Sequence, residues 1–435
     1  MKRLFTSLAL CAMALTAFSA CTPKETQKEP TPTPTPSVSE LTPDEHKQKL
    51  EDIAIELVDE FNPSDFELLA DALISLGEYI YTDEWEDDES EEHPVEQMAR
   101  ALKTHSMGNF TKAVTRASEQ FIFDLNNGSI ELVGLRLVID ENGEMEYEEL
   151  ESRGSVEVTW DNVVVVFTWG ENNGQYTYTD EATDSEFIVK VPAYINASLK
   201  IDGVEHLNVN AEPAVTNNDD LALNLTIKIY GGYEITNAAN VTNEKAAYNS
   251  SFKKNAKTLI SNSAELYING LTTPENWISE YTNEDEYGNE YTETYLSLDE
   301  SVYETMTNGQ FRCDILKLSI IGSGDFDKMY DELNELEWEE YNEEEFYEKY
   351  GDIINKHVKI VAMYNDTNEK IADVIVEGYY YEEEYIEDGT SYVVISCGVE
   401  PILVFPDGSK YSLEEFFTAD SFSTLIERIS ELYGE

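Results

Sequence analysis

From about residue 121 onward, alternating or β-branched runs are separated by pairs such as Asn142-Gly143, Asn173-Gly174, Asp202-Gly203 and Asn269-Gly270. Such pairs suit the central positions of a tight hairpin, where the backbone must take positive φ. Connections that short join antiparallel neighbours and leave no room for a helical crossover. The runs at 130–139, 155–169, 187–201, 221–230 and 259–268 therefore read as strands of a large, curved, mainly antiparallel sheet. Strands continue at 311–321 and across 357–405, with turns at Asp366 to Asn368, Asp388-Gly389 and Asp407-Gly408.

Ahead of this sheet the apolar period is helical. Leu50, Ile53, Ala54, Leu57 and Phe61 form one stripe, and Leu69, Ala72, Leu73, Leu76 and Ile80 another, with Asn62-Pro63 breaking between them. Thr42-Pro43-Asp44-Glu45 and Ser64-Asp65-Phe66-Glu67 each set a capping hydroxyl three residues before a Glu. A third helix is expected over 94–107, after the acidic stretch 83–92. Near the other end, Phe326, Met329, Tyr330, Leu333 and Leu336 share one side of a helix over 326–350. A terminal amphipathic helix over 412–433 opens with the capping box Ser412-Leu413-Glu414-Glu415. The fold class is α+β, with a helical segment at 41–120 and an antiparallel β-rich domain at 121–435 that includes these later helices.

Residues 1–20 have the form of an export signal. Lys2 and Arg3 precede an apolar run from Leu4 to Phe18, which is too short for a comfortable permanent span. The segment Phe18-Ser19-Ala20-Cys21 resembles the lipobox of bacterial lipoproteins, although Phe18 stands where Leu is usual. That resemblance implies cleavage before Cys21 and acylation of its new N-terminus, with palmitate among the chains. Residues 21–40, with Thr31-Pro32-Thr33-Pro34-Thr35-Pro36, read as an extended tether. The expected location is the bacterial cell envelope, lipid-anchored and on the outer membrane.

The chain carries 28 Lys and Arg against 89 Asp and Glu, and losing Lys2 and Arg3 takes its net charge from −61 to −63. Nucleic acid and anionic lipid surfaces are poor partners for such a field, so attachment must come from lipid. The same acidity serves solubility, and hard cations or a basic partner are further uses for it. With 41% hydrophobic residues, 27 Tyr and 17 Phe, the chain has enough apolar surface for a core.

The stretch Val191-Pro192-Ala193-Tyr194-Ile195-Asn196-Ala197, then Ile201-Asp202-Gly203 and Leu266-Tyr267-Ile268-Asn269-Gly270, resembles uncharacterised membrane lipoproteins of the Bacteroidetes. It covers about residues 191–270 and contains no catalytic motif, so it implies no activity.

Catalytic patterns are wanting. The sequence holds no Gly-x-Ser-x-Gly, His-Glu-x-x-His, Cys-x-x-Cys or P-loop, and no metal or cofactor set is read from it. His46 and His93 lie in polar stretches that read as exposed, and His105, His206 and His357 lack ligands at metal spacing. Asp140-x-Asn142-Gly143 reads as a hairpin turn in preference to a calcium loop. Outside the export segment and Cys21, Cys313 and Cys397 remain; in an oxidising compartment a disulfide between them and two free thiols are equal alternatives.

Tyr287, Tyr291 and Tyr295 recur every four residues in an acidic insertion at 275–308, with Tyr287-Gly288-Asn289 as a hairpin tip. The group Tyr379-Tyr380-Tyr381 with Tyr385 has the same character. Exposed aromatic rings can stack on sugars, and Tyr beside acids suits a basic peptide; tyrosines also simply fill strands. The leading expectation is a non-enzymatic envelope protein with a binding or structural role, holding an apolar ligand between sheet and helices or presenting a surface to a glycan or protein. The rival is a surface hydrolase, which needs two carboxylates facing each other at about 5–9.5 Å.

Overall fold

The computed structural model describes residues 36–80, 135–139, 145–149, 155–160, 162–170, 172–180, 185–216, 220–273, 278–284, 290–296, 302, 305–336, 342–387 and 390–433. They form an α+β protein with a large, mainly antiparallel sheet and a C-terminal helix, as the alternation of periods implied. The expected helix at 94–107 and the tip at Tyr287 lie outside the described residues, as do Cys21 and the tether up to residue 35. Among the described residues no helix is long and apolar enough to cross a membrane. The chain divides into two compact units, one within 59–242 and 248–261, the other within 24–58, 243–247 and 262–435.

In the order of the chain, the strands are β1 (Ser37–Val38), β2 (Leu135–Ile139), β3 (Met145–Glu149), β4 (Ser155–Trp160), β5 (Val163–Trp169), β6 (Asn172–Asp180), β7 (Ser185–Pro192), β8 (Ile195–Ile201), β9 (Val204–Thr216), β10 (Asp220–Ile229) and β11 (Tyr233–Thr242). There follow β12 (Lys245–Lys254), β13 (Lys257–Tyr267), β14 (Ile278–Glu284), β15 (Glu290–Leu296), β16 (Asn308–Ile315), β17 (Leu318–Asp325), β18 (Val358–Tyr364), β19 (Glu369–Glu387), β20 (Thr390–Val404) and β21 (Lys410–Ser412). The helices are α1 (Pro43–Asp59), α2 (Ser64–Ile80), α3 (Phe326–Asn334), α4 (Glu343–His357), α5 (Leu413–Phe416) and α6 (Ser423–Tyr433).

In the first unit the strands pair in the sequence β3, β2, β4, β5, β8, β9, β10, β11, antiparallel throughout except for the parallel β2–β4 contact. Asp202 and Gly203, at φ 52° and 77°, turn β8 into β9 as their sequence demanded. Two expected single strands are hairpins or breaks instead. The run at 155–169 folds back on itself between β4 and β5, and that at 187–201 is interrupted at Ala193 and Tyr194. Asn173-Gly174 is not a hairpin turn: it falls inside β6, where the register with β7 shifts between Asn172 and Gln175. A bulge admits the extra residue there without reversing the chain.

The inner face of this sheet carries Val163 and Val165, Leu199 and Ile201, Val209 and Ala211, and Ile227 and Ile229. Of the stripe read on α2, Leu69 is fully enclosed and Ala72 and Leu73 nearly so. Its start differs from the expected capping box. Ser64 lies in the first turn, where its Oγ donates to Asn62 Oδ1, and Asn62 Nδ2 donates to Asp65 Oδ1.

Tyr233, almost wholly buried at the start of β11, fixes that helix start. Asn62 N–H donates to its Oη at 2.9 Å, and the Oη lies 3.3 Å from Asp65 Oδ2. Its ring packs against Phe66, with centroids 4.7 Å apart, and Lys254 Nζ sits 3.8 Å from the ring centroid while reaching Asp65 at 3.2 Å. Burial opposes the charge on Lys254, yet hydrogen bonds to Tyr233 and Asp65 hold its pKa above the ordinary value. Gly231, at φ 86°, gives these groups room, since a Cβ there would come within 2.6 Å of the Asp65 carboxylate.

In the second unit the sequence of pairing is β16, β17, β18, β19, β20, β21, all antiparallel, with β1 parallel to the first residues of β19. The Thr42 box forms as expected: Thr42 N–H donates to Glu45 Oε2 at 2.8 Å and Glu45 N–H returns to Thr42 Oγ1 at 3.4 Å. Ile53 of α1 is buried with Ala362, Tyr364, Ile371, Ala372, Leu403, Phe405 and Phe416. The helix expected over 326–350 is two helices, α3 and α4, and that over 412–433 is likewise α5 and α6. The second helix of the first pair, α4, has its own start, for Asn342 Oδ1 accepts from Glu345 N–H.

Replacing Tyr233 with Phe keeps the ring but strips Asn62 N–H and Asp65 of their shared partner. Urea unfolding is expected to show a loss of about 1–2 kcal/mol.

Candidate functional site

β19 and β20 form a hairpin in register from Asp373 opposite Val404 to Glu387 opposite Thr390. β18 pairs with β19 only up to Val374. Beyond that point α4 takes over. Asn355 Nδ2 donates to Val376 carbonyl at 2.6 Å and Asn355 Oδ1 accepts from Val376 N–H at 2.8 Å. The amide thus serves as one residue of neighbouring strand. Both backbone groups of a residue in an antiparallel strand leave on the same side, so Val376 meets Pro401 across a pair that needs no hydrogen bond, and the missing N–H of proline costs nothing there.

The helix must come close to do this. A Cβ on Gly378 would lie 2.5 Å from the Tyr347 carbonyl carbon, and one on Gly351 would lie 3.0 Å from the Val376 oxygen. Two facing glycines therefore permit the approach. Strand residues alternate faces, so Gly378 and Tyr380, with Cys397 opposite, belong to the α4 side, and Glu377, Tyr379 and Tyr381 belong to the other.

That other face is the candidate site. Tyr379 and Tyr381 lie nearly parallel, with centroids 5.7 Å apart and planes at 24°. Tyr379 reaches across to Gly398, where a Cβ would meet its Oη at 3.0 Å. Tyr381 is 53% exposed. Glu377 stands directly opposite Glu400, and Glu377 is ion-paired with Lys410 of β21. Burial, together with the Glu415, Glu377 and Glu414 carboxylates, holds Glu400 above the usual carboxylate range. The arrangement offers two aromatic faces ending in a set of carboxylates.

The residues singled out by sequence fare differently. Tyr291 and Tyr295 sit on β15, opposite Asn283 and Ser279 of β14; Tyr287 lies outside the described residues. Cys313 and Cys397 are free thiols, so the disulfide alternative gives way. Cys313 is on β16 and Cys397 on β20, four strand spacings apart, or roughly 19 Å along the sheet, whereas a disulfide needs Cα atoms within about 7 Å. Burial, with Asp314 beside it, pushes the Cys313 thiol up to about 11, which keeps it protonated and unreactive at neutral pH. Ser319, Asp314 and Arg312 form a hydrogen-bonded cluster, but Ser319 is fully buried and ties β16 to β17. Among the described residues no group of three His, Cys, Asp or Glu side chains is placed to hold a metal ion.

His46 is a correction. It is not exposed but wholly buried, with Nδ1 2.8 Å from Tyr364 Oη and its ring against Tyr364 and Phe405. Among the described residues its Nε2 has no hydrogen-bond partner. Spacing explains the placement: His46 precedes Leu50 and Ile53 on the apolar stripe of α1, by one and two helical turns. Burial first, and Lys49 next, lower its pKa against the opposing pull of Glu369 and Glu45.

Comparison with known proteins returned no match: no protein family, curated protein or solved structure is significantly similar to this chain.

Two measurements follow from this geometry. Asn355→Ala leaves both polar groups of Val376 unpaired, and chemical denaturation should show a loss of about 2–3 kcal/mol. For His46, the folded protein binds a proton less readily than the unfolded chain, so its contribution to stability is present above about pH 6.5 and lost as the pH falls below it. Thermal unfolding between pH 7 and about 5.5 should therefore fall more steeply for the wild type than for His46→Gln; equal slopes would contradict it.

Proposed function

We propose that this is a lipid-anchored protein of the bacterial envelope, attached through Cys21 and carrying a non-enzymatic binding role on the exposed face of β19 and β20. The attachment rests on the signal-like run up to Cys21 and the proline-rich stretch after it. The first described element, β1, begins at Ser37, just past that stretch, and is joined to β19. Alternating prolines make a semi-rigid spacer of about 3 Å per residue, which suits a body displayed away from a surface that its charge repels.

The observation that carries the binding role is the Tyr379 and Tyr381 pair, held nearly parallel on a strand face with Tyr381 more than half exposed. Surface aromatics with an organised carboxylate border are what recognition faces are made of. The alternative of an apolar ligand between sheet and helix is less well supported, because the apolar stripes of α1 and α2 are occupied by each unit's own core residues.

Expression in a diderm bacterium with labelled palmitate tests the anchor. The wild type should incorporate label and fractionate with membranes; Cys21→Ser should lose the label and leave that fraction. A labelled Cys21→Ser protein would refute the assignment.

A further inference from the structure

We infer that the face formed by Glu377, Tyr379, Tyr381 and Glu400 receives an extended, arginine-bearing segment of a partner protein. The inference rests on the binding role proposed above and names its partner.

Charge comes first. Glu377 and Glu400 are direct cross-strand neighbours, an arrangement of like charges that disfavours the sheet unless a cation relieves it. Lys410 does this for Glu377. Among the described residues Glu400 has no cationic partner, and Glu414 and Glu415 add to the repulsion around it. A cation at Glu400 would therefore gain attraction without displacing an existing pair, and the −61 field of the whole chain brings cations toward it.

Ring geometry narrows the cation. Tyr379 lies across Gly398, within one strand position of Glu377 and Glu400 along this face. A planar guanidinium can stack on a tyrosine ring while its N–H groups reach a carboxylate, whereas an ammonium offers a point charge and no plane. Spacing narrows the carrier. Residues two apart on one strand are about 6.7 Å apart, for β19 and for any extended segment lying along it. Alternate side chains of such a segment fall in step with Glu377, Tyr379 and Tyr381. A neutral glycan would use the rings but leave Glu400 without its counter-charge.

Calorimetry with the full chain at low salt tests this, using short peptides that alternate Thr with Arg, with Lys or with Glu, and a neutral β-linked glucan oligosaccharide. The Arg peptide is expected to bind, the Lys peptide more weakly and the Glu peptide not at all. Glu400→Gln, Tyr379→Ala and the exposed Tyr381→Ala should each weaken the Arg peptide by about tenfold, a change of about 1.4 kcal/mol. Asp202→Asn and Glu212→Gln, which remove one charge each in the other unit, should change it less than about twofold. Losses from Asp202→Asn and Glu212→Gln equal to that from Glu400→Gln would reduce the effect to net charge and overturn the site. Glucan binding that Tyr379→Ala abolishes would keep the binding role and overturn the partner. No binding of the Arg peptide by the wild type overturns this inference while leaving the anchor at Cys21 to its own test. Urea midpoints of the variants identify any loss that reflects unfolding, and Tyr381→Ala, at an exposed ring, decides the matter if Tyr379→Ala is unstable.

Discussion

Backbone N–H and C=O groups cannot be left dry and unpaired, and β19, at 19 residues, is where that requirement bears hardest. No single neighbour runs its whole length. β1 and β18 serve its first residues, β20 takes over from Asp373, and Asn355 supplies the pair of groups that Val376 needs after β18 has ended. Once Asn355 has that task, α4 has to lie against the strand, and Gly351 and Gly378 become necessary to its approach. With α4 on one side, Glu377, Tyr379 and Tyr381 are left on the other. The face that carries the tyrosine pair is thus a by-product of satisfying one strand.

The first unit solves a different problem. With 28 cationic and 89 acidic residues, each lysine is scarce, and those flanking the turn between β12 and β13 are placed with purpose. Lys253 meets Glu234, Lys254 meets Asp65 and Lys257 meets Glu60. Exposed pairs of this kind add little each. The Lys254 pair is the most sheltered of the three, and its lysine also caps the Tyr233 ring. It therefore contributes position as much as energy, locking the start of α2 to the edge of β11.

Much of the fold was legible because its signals were local. Capping boxes at Thr42 and Ser412, the Asp202-Gly203 turn and the apolar stripes of α1 and α2 each depend on residues a few positions apart. β11 and β12 were harder to see, since Asn-Ala-Ala-Asn and Asn-Ser-Ser lack the β-branched residues that announce a strand. Gly378 and Gly351, 27 positions apart in sequence, have meaning only once α4 and β19 are side by side. The tyrosines of the candidate face were visible as a cluster, but nothing in their spacing distinguished them from Tyr287, Tyr291 and Tyr295. What sets them apart is Gly398 beneath one ring and Glu400 beside Glu377, both contributed by a partner strand. His46 was misplaced for the opposite reason: its polar neighbours in sequence concealed that it continues the apolar stripe.

The union of β1 with β19 has a mechanical meaning. Backbone hydrogen bonds, among them those from Ser37 N–H to the Asn368 carbonyl and from Ser39 N–H to the Lys370 carbonyl, hold that short strand to β19. A pull delivered through residue 36 would break them one after another, as a zipper opens, and the load would then arrive at α1. There the resistance is of another kind, because His46 and Ile53 are embedded among Tyr364, Phe405 and Phe416. A body pulled by its N-terminal end would thus yield softly over the first few residues and then stop hard, with α1 as the bolt.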